Sequence, residues 1–251
     1  MFRIWIYLSL NYFFNSLINR SEVKKNKKYI KDYICKQSNK KVSLLFSQCR
    51  VAFLFILKFL KTNNNRNEII FCAYNLPEMI NIAVNLNLKI KFCDINYKTG
   101  NMQIEQLKKK ISKKTIAVVL TNMFNDYDHG KKIKKIIKKY DIPLIEDNAI
   151  YFGNFTKKKN KKYYSGQIGD YSIYSFNIMK NISSFYGGAV STNNAEFKKF
   201  YNIQESKLKN FPTLPLLKQI LIFLILKIMS INFLYKYFFI YIINFSHKNN
   251  I

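Results

Sequence analysis

Acid is scarce in this chain. Of 251 residues only 14 are Asp or Glu, against 42 Lys or Arg, a formal charge of +28. Such a balance raises nucleic acid or an anionic membrane as partners. The lysines are spread through every segment, however, and come with abundant Asn, Ile, Phe and Tyr. That is the pattern of a chain-wide compositional drift and a solvated surface, so no specific nucleic-acid partner is expected. Histidine is scarcer still. His129 and His247 lie far apart, and Cys35, Cys49, Cys72 and Cys93 show no short paired spacing. No metal site is therefore expected. The cysteines read as reduced and mostly buried, which suits a cytoplasmic protein.

A long unbroken apolar run is also missing. The run Ile4 to Ile18 is interrupted by Asn11 and Asn15, follows only Arg3, and precedes no small-residue cleavage site. It is too short for a membrane span and too weak for a signal peptide, and reads as an interfacial or packing helix. Residues 215–245 are strongly apolar but carry Lys218, Lys227 and Lys236, nine residues apart. Nine residues is about 2.5 helical turns, so these lysines do not share one face. The expectation is helices that pack on the domain or lie on a membrane surface, with a true span as the lesser alternative.

What is present is core material. Apolar residues make up 49% of the chain, ample for a core, and 251 residues suffice for one domain or one and a half. Residues 21–41 are basic and polar, a surface helix or linker. From Ser43 the rhythm becomes regular. Arg50 to Leu60 reads as a buried helix, Glu68 to Cys72 as a strand, and Pro77 as a helix start with Met79, Ile80, Ala83 and Leu86 as its stripe. Leu88 to Ile95, Ile116 to Leu120 and Ile142 to Ile145 read as further strands. Ile104, Leu107 and Ile111 mark a helix between the first two. Ile133, Ile136, Ile137 and Tyr140 mark another before the third. Residues 154–165, polar and basic, read as an exposed loop. This alternation implies an α/β fold: a three-layer, mostly parallel sheet with helices on both faces, and an apolar helical C-terminal segment.

Two stretches carry candidate chemistry. Ile142-Pro-Leu-Ile-Glu-Asp-Asn148 is an apolar strand ending in a carboxylate pair, Glu146 and Asp147. Ser175-Phe-Asn-Ile-Met-Lys180 places a lysine between an apolar run and the double glycine Gly187-Gly188, which restarts a strand. In apolar surroundings the neutral amine is favoured, so Lys180 can act as a nucleophile or proton shuttle. In a doubly covered parallel sheet, ligands gather at the carboxyl ends of strands, where Asp147 and Ser175 fall.

The run GDYSIYSFNIMKNISSFYGG, preceded by IPLIEDNA, resembles the DegT/DnrJ/StrS-type sugar aminotransferases from about Val42 to Asn194. These are enzymes of aspartate aminotransferase fold that use pyridoxal 5'-phosphate. The resemblance implies Lys180 as the Schiff-base lysine, Asp147 as the acidic partner of the pyridinium nitrogen and Ser175 as a phosphate-binding hydroxyl. It also implies the helix start at Cys49 and Arg50 as the phosphate cradle, where Gln48-Cys49-Arg50 replaces a small Ser-Gly-Thr-type turn. Leu76, with Tyr74 nearby, stands where the family often has an aromatic ring neighbour. Ile150 stands where it usually has Gln or His. Glu146 reads as structural, Asp170 as a cap, and Asn125 and Asp128 as turn residues.

The implied organisation is a helical segment over 1–41, a cofactor-binding large domain over 42–200 and a hydrophobic helical segment over 201–251, with the family's small domain missing or truncated. The implied reaction is transamination of a nucleotide-linked keto-sugar with glutamate as donor, for surface polysaccharide synthesis. The implied assembly is a cytoplasmic homodimer, with membrane contact left open. A catalytically degenerate binding or regulatory protein of the same fold, and a membrane-associated basic protein, are the alternatives.

Overall fold

The structure is a computed structural model that describes residues 9–18, 22–123, 126–178, 180–208, 213–229, 231, 235–241 and 244. A seven-stranded sheet is built from β1 (Val42–Phe46), β2 (Glu68–Cys72), β3 (Lys89–Cys93), β4 (Thr115–Thr121), β5 (Leu144–Asp147), β8 (Tyr171–Ser175) and β9 (Gly188–Thr192). Its order is β1-β9-β8-β5-β4-β2-β3. The five strands from β8 to β3 are mutually parallel, and β9 runs antiparallel to both β1 and β8.

Burial explains why the central strands lack a polar face. Along β2, Ile69 and Phe71 pack on one side of the sheet with α3 (Cys49–Thr62) and α4 (Pro77–Asn85). Ile70 and Cys72 pack on the other side with α5 (Ile104–Lys110) and α6 (Tyr127–Lys138). In β4, Ala117 and Val119 face the first layer, and Val118 and Leu120 the second. Strands covered on both faces must be apolar nearly throughout, as the sequence shows. The first layer is completed by Phe197 and Tyr201 of α7 (Ala195–Glu205). On the second, Ile34 of α2 (Val23–Ser38) packs with Tyr174 and Ala189. The three-layer, mostly parallel architecture expected from the sequence is what the chain adopts.

Phe53 of α3 is fully buried and meets Phe71 with ring centroids 6.0 Å apart. Phe53→Ala is expected to cost about 3–5 kcal/mol, since it removes apolar contact and leaves a cavity. A urea unfolding midpoint measures it.

The structure corrects one expectation. Residues 154–165 form not a loop but a β-hairpin, β6 (Phe155–Lys158) and β7 (Lys161–Tyr164), paired antiparallel. Lys159 and Asn160 both have positive φ, 43° and 61°, the backbone of a two-residue hairpin turn. Lysines on the exposed positions hid the alternation. One flank is fastened by Tyr127 stacking on Tyr163 at 4.3 Å and by an ion pair of Lys158 with Asp128. Of the four free cysteines, Cys72 and Cys93 are buried and Cys35 and Cys49 are half-buried.

Beyond the sheet, α1 (Leu10–Ile18) and α8 (Thr213–Met229) pack on each other, Phe13 against Phe223 at 5.4 Å. Among the described residues no helix is long and apolar enough to cross a membrane. Arg3 and His247 lie outside the described residues, as do 230, 232–234, 242–243 and 245–251.

Candidate active site

Both β1 and β8 run antiparallel to β9, so β1 points the same way as the parallel strands. The carboxyl ends of β1, β2, β5 and β8 and the start of β9 therefore lie along one edge of the sheet. That edge carries two neighbouring cavities. The first, of about 180 Å³, is lined among others by Cys49, Arg50, Leu76, Asp147, Ser175 and Lys180. The second, of about 300 Å³, is lined by Leu76, Asp147 and Lys180 again, together with Ile150 and Tyr74. All seven residues singled out as cofactor-binding from the sequence thus line one or both of these cavities, from four separate segments of the chain.

Each position has a local cause. Asp147 is the last residue of β5 and is 6% exposed. Its Oδ1 accepts from the Ala149 amide at 3.0 Å, and no described cation forms an ion pair with it. Burial pushes its carboxyl above the ordinary range, against the Ala149 amide and the Lys180 charge, which pull it down. Asp147 is therefore a buried acid in need of a cationic donor. Ser175 ends β8, is buried, and among the described residues makes no hydrogen bond through its hydroxyl.

Lys180 is half-buried on the loop between β8 and β9. The loop is held tightly. The Lys180 amide donates to the Asn177 carbonyl at 2.9 Å, and the Ser184 amide to the Phe176 carbonyl at 2.8 Å. Asn181 Nδ2 donates to the Phe152 carbonyl at 2.6 Å. Met179, within the motif, lies outside the described residues, as does Asn125.

The start of α3 is brought to the edge by Gly188. A Cβ there would sit 2.4 Å from the Cys49 amide nitrogen, so only glycine permits this approach of β9 to the helix. The first-turn amides of α3 point away from the helix body and suit an anion. Arg50 adds a cation, paired with Glu78 at 3.5 Å. Cys49 occupies the start itself. Burial first, and Asp147 second, push its thiol well above its ordinary value. It stays a neutral thiol and brings no competing charge to the cradle.

Glu146 does different work from its neighbour. It is fully buried. Its Oε1 accepts from the Gly166 amide at 2.8 Å. Its Oε2 accepts from the Ile168 and Gly169 amides at 3.0 and 2.8 Å and from the Ser172 hydroxyl at 3.3 Å. This carboxylate shapes the turn that feeds β8. Glu146→Gln turns an acceptor into a donor facing backbone amides, and is expected to cost about 2–3 kcal/mol in chemical unfolding. Asp170 accepts from the Leu144 amide at 2.7 Å and pairs with Lys134, away from the cavity. Asp128 lies in the first turn of α6 and pairs with Lys158.

Sequence reading passed over Ala149, which lines both cavities, and Tyr186, which lines the first. The signal for Tyr186 was its place directly before Gly187-Gly188. Its hydroxyl receives a bond from Gln219 Nε2 of α8 at 3.4 Å.

Sheet order and site together define the large domain of a pyridoxal-phosphate-dependent transferase. A family model described as the DegT/DnrJ/EryC1/StrS aminotransferase family matches residues 18–210, and the chain belongs to that family. The match extends beyond the Val42 to Asn194 span visible in the motifs. A UDP-4-amino-4,6-dideoxy-N-acetyl-beta-L-altrosamine transaminase of Campylobacter jejuni is 34% identical over 119 residues, 46% of this chain and 30% of that protein. The Helicobacter pylori transaminase of the same name is 25% identical over 183 residues, 72% of this chain and 48% of that protein. A solved GDP-4-keto-6-deoxymannose-3-dehydratase superposes with a TM-score of 0.60 at 27% identity, covering 69% of this chain and 45% of that one. The chain thus spans about half or less of the length of these relatives.

Pyridoxal phosphate is the cofactor to which this family points, and the residues present fit it. A buried carboxylate without a cation, a free hydroxyl, a helix start with an arginine and a lysine on a pinned loop share one cavity.

Proposed function

We propose that this chain is the cofactor-binding part of an enzyme that transfers an amino group from glutamate to a keto group of a nucleotide-linked sugar, in surface polysaccharide synthesis. It works as a homodimer in the cytoplasm. The observation that carries this reading is the convergence of Lys180, Asp147, Ser175 and the α3 start on one cavity. The relatives that act on nucleotide sugars support the substrate class.

Bound pyridoxal phosphate supplies an electron sink for charge developing at the substrate carbon. The chain supplies the rest. Lys180 holds the cofactor through its amine and then carries a proton to and from the substrate carbon. Asp147 keeps the ring nitrogen protonated. Ser175, the α3 amides and Arg50 bind the phosphate. Leu76 and Ala149, lining the same cavity, are the apolar neighbours available to the ring. The test is the visible absorbance of the purified protein with cofactor and its trapping by borohydride. A label found on Lys180 supports the proposal. A protein that takes up no cofactor refutes it.

A second reading has its own observation. Leu76 is 53% exposed and Ile150 49% exposed, where the family carries an aromatic residue and Gln or His. A site so open at the ring faces fits a binding or regulatory protein. Complementation of glycan synthesis by the Lys180→Ala chain separates the two: rescue supports the binding role, and failure supports the enzyme.

A further inference from the structure

α8 is apolar on both sides, yet only one side is covered. Inward, Phe223 is fully buried against Phe185 of the Lys180 loop, ring centroids 5.3 Å apart, and against Phe13 of α1. Outward, Leu214, Leu217, Leu221, Ile225 and Ile228 are exposed. Their spacing of three or four residues makes one stripe along the helix. Adjoining α1 exposes Leu10 and Phe14, and Tyr237 and Tyr241 are exposed beyond α8.

The charge of these ends is one-sided. Residues 1–21 contain no Asp or Glu, and residues 206–251 contain six lysines and again no acid. Lys218 lies exposed beside the stripe, and Lys236 follows it. Lysine is depleted at protein interfaces as a whole, so lysines at the margin of an aliphatic stripe favour an anionic lipid surface over a protein partner. A second copy would bring the same cations face to face. Aliphatic side chains bordered by lysines, with tyrosines at the margin, are instead what an interfacial helix presents to anionic headgroups. The 17 residues of α8 cover about 25 Å at the helical rise, less than a hydrocarbon core.

We propose that the outward stripe of α8, with α1 beside it, seats the protein on the surface of an anionic lipid bilayer, lying in the headgroup plane. The leucines enter the acyl boundary and the lysines meet the lipid phosphates.

The experiment is co-sedimentation of the full chain with phosphatidylcholine vesicles, with and without phosphatidylserine. Binding about tenfold or more tighter to the anionic vesicles, weakening as salt rises, is expected. Leu217→Glu with Leu221→Glu, at positions 60% and 59% exposed, is expected to reduce that binding about tenfold or more without moving the unfolding temperature. Lys218→Glu with Lys236→Glu is expected to reduce the preference for phosphatidylserine about tenfold or more. If the leucine variant unfolds at lower temperature, the charge variant decides alone. No binding, equal binding to both vesicles, or binding unchanged in the deciding variant overturns the proposal. So does a soluble dimer that the leucine variant splits into monomers, which would show a second copy on the stripe. Vesicle binding needs no cofactor, so its failure and that of the transaminase reading are read separately.

Discussion

Lys180→Ala is expected to lower transamination at least about 10⁴-fold and to erase the borohydride label, with the fold intact. The magnitude follows from two duties on one amine. Proton transfer at the substrate carbon by a positioned base is worth about 10²–10⁴ alone, and the loss of the covalent hold on the cofactor adds to it. Stability is expected to change little, because Lys180 is half-buried and its loop is pinned by backbone bonds and by Asn181 rather than by the amine. The checks are single-turnover kinetics with cofactor in excess and a circular dichroism melt. Activity within tenfold of the parent would remove Lys180 from the chemistry.

Asp147→Asn is expected to cost about 10²–10³ in rate, since it removes a preorganised charge from the ring nitrogen. The same change is expected to stabilise the cofactor-free protein at neutral pH. The folded state holds the Asp147 proton more tightly than the unfolded chain does, because burial penalises the carboxylate. Its contribution to stability is thus fully present below the ordinary Asp value, about 3.9. It is lost as pH rises through the raised folded value. Asparagine cannot ionise and carries no such loss. Without cofactor, the variant should melt higher than the parent at pH 7 and converge with it in acid. With cofactor the order should reverse at pH 7, because a cationic ring nitrogen beside the carboxylate compensates the parent alone. A variant that keeps the parent's rate and cofactor stabilisation would rule Asp147 out as the nitrogen's partner.

The residues differ in how visible their roles were beforehand. Asp147 and Lys180 stood out because each ends or follows an apolar run, where a charged group needs a reason. Glu146 reads like Asp147 in sequence, since both close the same strand. The family resemblance already sets Asp147 apart as the cofactor's partner and Glu146 as structural, and the Gly166, Ile168 and Gly169 amides are what Glu146 holds. The hairpin β6–β7 was hidden because most of its exposed positions are lysines and its turn depends on two residues at positive φ. Ala149 gave no signal and Tyr186 only its place before Gly187-Gly188, and their position at the cavity comes from where the chain turns after β5 and before β9.

The amino-acid order by itself determined the alternation of central strands and helices, the β6–β7 hairpin excepted, and that those strands are covered on both faces. Local periodicity encodes which sides of a segment must leave water. It also supplied the two motifs and hence the family. Only the tertiary structure decided that Cys49, Leu76, Asp147, Ser175 and Lys180 share one cavity, and that α8 covers the lysine loop with one face while leaving the other bare. Those outcomes depend on which strands become neighbours, β1 beside β9 and β5 beside β8. Neighbourhood is set by packing among distant segments, which no local pattern records.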